Sequence, residues 1–98
     1  MPTYIDPTQA IIANVGDRFA IGLYVIPRVG EHWVVSFDND ILSNPDQAIV
    51  MLDPQSPVDG TAWFMFNTLK SGDTKVSFEL ITATDQVRTQ TSFDIEIP

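Results

Sequence analysis

Apolar residues in this chain recur at every second position in short runs, and nowhere at the three-to-four spacing of an amphipathic helix. In Arg18-Phe19-Ala20-Ile21-Gly22-Leu23-Tyr24-Val25, the side chains of Phe19, Ile21, Leu23 and Val25 fall on one face. Val76, Phe78 and Leu80 repeat the pattern in the segment from Lys75 to Leu80. Phe93, Ile95 and Ile97 repeat it again at the end of the chain, with Asp94 and Glu96 turned the other way. Strands with one apolar and one polar face belong to antiparallel sheets that are solvated on one side. Ala10–Ala13, His32–Phe37 and Gln47–Leu52 are shorter β-rich runs. Thr61-Ala62-Trp63-Phe64-Met65-Phe66 is apolar on both faces, which predicts a central strand or one beneath a covering loop.

Turn chemistry separates these runs at Val15-Gly16-Asp17, Pro27–Gly30, Asn44-Pro45-Asp46, Asp53–Gly60 and Ser71-Gly72-Asp73. Seven to eight short strands at this spacing predict an all-β fold, an immunoglobulin-like antiparallel β-sandwich with Greek-key connections. Pro45 with Asp46 and Gln47 has the chemistry to open one helical turn, but no longer helix is expected. At 98 residues, 44% hydrophobic and 18% charged, the chain has the size and composition of one globular domain over residues 1–98.

Several function classes are disfavoured by composition. The net charge of −8, with Arg18, Arg28, Lys70, Lys75 and Arg88 scattered, opposes nucleic-acid binding. No apolar run is long enough to span a membrane as a helix, so no membrane partner is expected. The segment Met1–Asp6 lacks the basic and apolar regions of a signal peptide, so a cytoplasmic location is expected if the chain is full length. With no cysteine, thiol catalysis and cysteine-ligated metals are excluded. His32 is the only histidine, no Gly-x-Ser-x-Gly elbow accompanies it, and all five glycines are isolated. Asp38-Asn39-Asp40 has alternating oxygen donors but lacks the later glycine and glutamate of a calcium loop, and is read as a polar turn. The expectation is a non-enzyme without cofactor or metal that acts by binding.

The larger turns are then the candidate binding elements. Ile26-Pro27-Arg28-Val29-Gly30 is a shaped loop, because proline presets one φ and glycine admits a conformation that other residues resist. Trp33 is expected to anchor it by packing into the sandwich. The second loop runs from Asp53 to Gly60 and the third from Thr82 to Val87.

The ordered set of scaffold residues resembles the chagasin-like inhibitors of papain-family cysteine peptidases. Gly16-Asp17 matches the Gly-Asp pair that leads into an early strand of that family. Pro27, Gly30 and Trp33 fall at the matching positions of an Asn-Pro-Thr-Thr-Gly loop followed by an aromatic, a spacer and Trp. Gly60, Thr61, Phe64, Phe66, Leu69 and Gly72 reproduce a later Gly-to-Thr-x-x-Phe-x-Phe spacing without a gap. The resemblance runs from about Ala10 to Ile97 and implies an immunoglobulin-like sandwich whose three loops at one end enter a papain-like peptidase cleft. It assigns partner contact to Ile26, Pro27, Arg28, Val29, Gly30 and Trp33, then to Pro57, Val58, Asp59 and Gly60, and last to Thr82, Ala83 and Thr84. The chain departs from the family in those loops: Ile26 stands for Asn, Arg28 and Val29 for two Thr, and Thr82-Ala83-Thr84 for Arg-Pro-aromatic. A monomer is expected. The alternative is an immunoglobulin-like interaction module that keeps the scaffold but binds another protein through its loops or an exposed edge strand. A calcium- or carbohydrate-binding sandwich is a third reading.

Overall fold

The computed structural model describes residues 1–53, 55 and 58–98. Its strands are β1 (Thr3–Tyr4), β2 (Ile11–Ile12), β3 (Arg18–Val25), β4 (His32–Ser36), β5 (Leu42–Met51), β6 (Gly60–Thr68), β7 (Gly72–Ile81) and β8 (Val87–Ile97). They form two four-stranded sheets, ordered β1-β3-β6-β5 and β2-β8-β7-β4. The hairpins β5–β6 and β7–β8 each dock beside an earlier strand, β3 and β4 respectively, which is the Greek-key interleaving of an immunoglobulin-like sandwich. All pairings among β3 to β8 are antiparallel. The short N-terminal strands add a parallel pairing to each sheet, β1 on β3 and β2 on β8, so this segment crosses from one sheet to the other.

Alternation dictates the core. Phe19, Ile21, Leu23 and Val25 of β3, Val76, Phe78 and Leu80 of β7, and Phe93, Ile95 and Ile97 of β8 are all buried, with Asp94 and Glu96 exposed between the last three. Phe78 packs edge-on against Trp33, Phe64 and Phe93 at centroid distances of 6.4, 5.1 and 5.9 Å, linking both sheets. β6 alternates buried and half-buried along its whole length and lies between β3 and β5, as an apolar strand with two apolar faces requires. Its outward Trp63 ring lies over Gly22 of β3, where an added Cβ would sit 2.6 Å from the indole.

The fifth strand is longer than its sequence suggests. Asn44-Pro45-Asp46, expected as a turn or helical opening, lies inside β5, where the register shifts between Ser43 and Asp46. A bulge on an edge strand tolerates proline, because no neighbour needs its missing N–H. Asn44 repairs the ladder there: its Nδ2 donates to the Met65 carbonyl at 2.6 Å and to the Asp46 carbonyl at 3.2 Å. Asp38-Asn39-Asp40 is a polar turn in which the Asp38 carboxylate accepts the Asp40 N–H at 2.9 Å.

Replacing the aromatic that joins the sheets tests this account of the core. Phe78→Ala is expected to cost about 3–5 kcal/mol, the usual range for a fully buried aromatic, measured by urea unfolding. A loss comparable to that of a surface substitution would show that the aromatic cluster does not hold the sheets together.

Candidate functional site

The strand registers bring three connections to one end of the sandwich. In the first sheet Gly60, which opens β6, faces both Val25 at the end of β3 and Met51 at the end of β5. In the second sheet Ile81 at the end of β7 faces both His32 at the start of β4 and Val87 at the start of β8. The β3–β4 connection runs from one of these sheet ends to the other, so both lie at the same pole. Loops 26–31 and 82–86 and the described ends of the β5–β6 connection, 52–53 and 58–59, therefore share it.

The first loop is wound. Ile26 precedes a 3-10 turn over Pro27–Val29, and Gly30 closes it in the left-handed region at φ 81°, donating its N–H to the Pro27 carbonyl at 2.9 Å. Proline at the first turn position and glycine at the last supply the two backbone states the turn needs. Ile26 and Pro27 are half-buried, whereas Arg28 and Val29 form the exposed apex. Among the described residues, Arg28 makes no ion pair.

A carboxylate braces this turn from below. Glu31 is buried, and its Oε1 accepts the Ile26 N–H at 2.9 Å. Its Oε2 accepts from Arg88 Nη1 of β8 at 2.6 Å. A buried carboxylate is retained only when paired and hydrogen-bonded, and here both oxygens are engaged. The pair thus ties the base of the first loop to the strand that leaves the third. Neither residue was singled out by the sequence reading. The available signal was an acidic residue standing where the resembled family has an aromatic; Arg88 carried none.

The third loop is closed by its own polar groups. Thr82 donates its N–H to the Gln86 carbonyl at 2.9 Å and accepts the Asp85 N–H on its own carbonyl at 3.0 Å. Its hydroxyl accepts the Gln86 N–H at 3.2 Å and lies 3.1 Å from the Thr84 hydroxyl. Asp85 adopts φ 61°, a conformation that aspartate tolerates better than most residues. Ala83 packs against Gly30, where an added Cβ would come within 2.7 Å of the alanine methyl. Both residues must be small for the loops to touch.

The second loop is pinned to β3. The Tyr24 hydroxyl donates to Asp59 Oδ2 at 2.5 Å, and Leu52 donates its N–H to the Asp59 carbonyl at 3.1 Å. This hydrogen bond raises the Tyr24 phenol above the ordinary tyrosine value, with desolvation and the negative charges of Asp59 and Glu31 acting in the same direction.

The sequence-predicted site residues separate into two groups. Ile26, Pro27, Arg28, Val29, Gly30, Val58, Thr82, Ala83 and Thr84 lie together on the loops, with Asp59 half-buried beside them. Trp33 stands behind the first loop, half-buried, with its Nε1–H donating to the Tyr24 carbonyl at 2.9 Å. Gly60 is buried as the first residue of β6, where a Cβ would lie 2.6 Å from the Val50 carbonyl oxygen, so it belongs to the framework. Pro57 lies outside the described residues.

No protein-family model matches the chain, and none of the curated proteins compared with it matches in sequence. Solved structures do match its fold. The cysteine protease inhibitor EhICP2 from Entamoeba histolytica superposes with a TM-score of 0.83 at 15% identity, covering 99% of this chain and 95% of its own. Amebosin, solved in solution, gives 0.76 at 17% identity, with 98% and 96% covered. PbICP-C, solved in complex with falcipain-2, gives 0.63 at 12% identity, with 98% and 86% covered. The chain therefore has the immunoglobulin-like sandwich fold of these proteins over almost its entire length.

Two measurements probe the loop supports. Glu31→Ala removes the acceptor of the Ile26 N–H and is expected to cost about 1–3 kcal/mol, with little from the ion pair because Arg88 is 59% exposed and screened by water. Amide exchange at Ile26 should speed up in Glu31→Ala and stay slow in Glu31→Gln, which keeps the acceptor. Unchanged protection in the alanine variant would show that Glu31 is not the brace. For Tyr24, an ultraviolet titration should show a tyrosine ionising late, and Asp59→Ala should bring that ionisation down toward the ordinary range. Because the folded value is raised, the associated stability is fully present below about pH 10 and is lost as pH rises through the folded value.

Proposed function

We propose that this domain is a reversible protein inhibitor of papain-like cysteine peptidases, entering the active-site cleft with the loops at residues 26–30, 57–60 and 82–84. The observation that carries the reading is the convergence of these loops at one pole, with a wound, braced Pro27–Val29 turn between the two flanks. The shared fold with a cysteine protease inhibitor, and with a protein solved in complex with falcipain-2, supports it. So does the ordered match of Pro27, Gly30, Trp33, Gly60, Thr61, Phe64 and Phe66 to chagasin-like inhibitors.

The geometry explains how such a loop blocks a peptidase without being cut. A peptidase cleft takes an extended backbone and attacks a carbonyl presented along it. At the apex here the backbone is coiled, and the Pro27 carbonyl already accepts the Gly30 N–H. Reaching an extended form requires breaking that bond, the Ile26–Glu31 bond and the contact with Ala83. A loop already fixed in its bound shape also loses little conformational entropy on docking. The loops carry no aromatic anchor of the kind that dominates many interfaces. Affinity then rests on the shape of the turn, on exposed Val29 and on exposed Arg28, which makes no ion pair among the described residues and favours an acidic cleft.

Titration of the domain into papain or a cathepsin L-like enzyme should give reversible inhibition that competes with substrate. Replacing Pro27-Arg28-Val29 by Gly-Ser-Gly should abolish it while leaving the circular dichroism unchanged. A pull-down should capture the enzyme with its cleft free and fail when an active-site label fills the cleft. Full peptidase activity at micromolar domain would overturn the proposal for these enzymes.

A further inference from the structure

The first and third loops meet at two levels, through contacts of different kinds. At the base, Glu31 holds the Ile26 N–H with one oxygen and Arg88 of β8 with the other. Those directional bonds fix where the first loop is rooted. At the end of the turn the loops touch through carbon alone. A Cβ built on Gly30 would fall 2.7 Å from the Ala83 methyl. Beyond the immediate chain neighbours, Ala83 is the one described residue within 4 Å of that position.

The third loop is the side of this contact less able to give. The Thr82 N–H and carbonyl are engaged with Gln86 and Asp85, and its hydroxyl accepts the Gln86 N–H. The feet of the loop, Ile81 and Val87, face each other across β7 and β8. The first turn is closed differently, by the bond from the Gly30 N–H to the Pro27 carbonyl. A bond inside a turn preserves its shape but leaves its lean undetermined. Rooted through Ile26, the turn can tilt as a body until something stops it.

We infer that Ala83 is a positioning residue: its methyl is the stop against which the Pro27–Val29 turn rests, and its size sets the spacing between that turn and the third loop. The consequence for binding rests on the inhibitor reading, since a preformed cleft accepts loops at one separation. Packed contacts transmit a displacement rather than absorb it, so a larger residue at 83 pushes the turn away. Glycine at 30 is then required twice, for its φ of 81° and for the room the Ala83 methyl takes. The contact also supplies its own control. With that methyl gone, the next atom a Cβ on Gly30 would meet is the Ala83 Cα at 3.5 Å, an ordinary distance. Gly30→Ala combined with Ala83→Gly therefore moves the methyl from one loop to the other and keeps the gap filled. The strained φ at residue 30 is common to both backgrounds, so comparing them isolates the contact.

The two single variants, the pair and Ala83→Val are measured for inhibition of papain and by amide NMR on the intact chain. Residue 83 is exposed, so its variants keep the fold. Gly30→Ala should weaken inhibition, and that loss should shrink by about fivefold when Ala83→Gly accompanies it. Equal losses in the two backgrounds, with the parent chain inhibiting, would overturn the stop and leave the inhibitor reading standing. Ala83→Val, whose branched Cβ has little freedom to turn aside, should shift amides throughout residues 26–30. Shifts confined to Gly30 or to the third loop would overturn the stop as well. This arm needs no peptidase, so it decides the inference even where the parent chain fails to inhibit, an outcome that removes only the inhibitor reading.

Discussion

Strand β6 is bonded along its length on both sides, and its first residue faces Val25 and Met51 at once. That double registration cannot slip by one residue, because a slip would turn Ala62, Phe64 and Phe66 out of the core and bring Trp63 and Met65 in. Gly60 makes the close approach possible, since any side chain there would strike the Val50 carbonyl. The position of the loop pole is therefore a consequence of core packing some distance away. With the strand ends fixed, the β3–β4 and β5–β6 connections have little choice about where they emerge.

Holding the first loop in one shape is a separate problem, solved by charge. An aromatic at position 31 would stabilise the loop base by burial alone. Glu31 replaces this with directional bonds, one to the backbone of the loop and one to Arg88 across the sheet. Burying a carboxylate is costly unless both oxygens are satisfied. The arrangement is correspondingly intolerant of losing Arg88, which would leave a buried carboxylate oxygen unpaired, whereas Arg88, 59% exposed, stays solvated without Glu31. In return the loop is tied to β8 and so to the third loop, which Gly30 and Ala83 already touch. Two of the three loops thus behave as one unit.

Strand identity, the central place of β6 and the faces of β3, β7 and β8 were legible because period-two burial is written directly in residue order. The Pro45 bulge was misread as a turn for an equally physical reason: Asn-Pro-Asp has turn chemistry locally, and only the long-range bond from Asn44 to Met65 turns it into strand. The parallel pairings of β1 and β2 involve two residues each, too few for any periodicity. At the loop pole, Pro27 and Gly30 announced the wound turn through their backbone preferences. Glu31, Arg88 and the Tyr24–Asp59 link were invisible, because their partners lie 57 and 35 residues apart in sequence. Trp33 and Gly60 were recognised as important, but their positions make them supports of the loops.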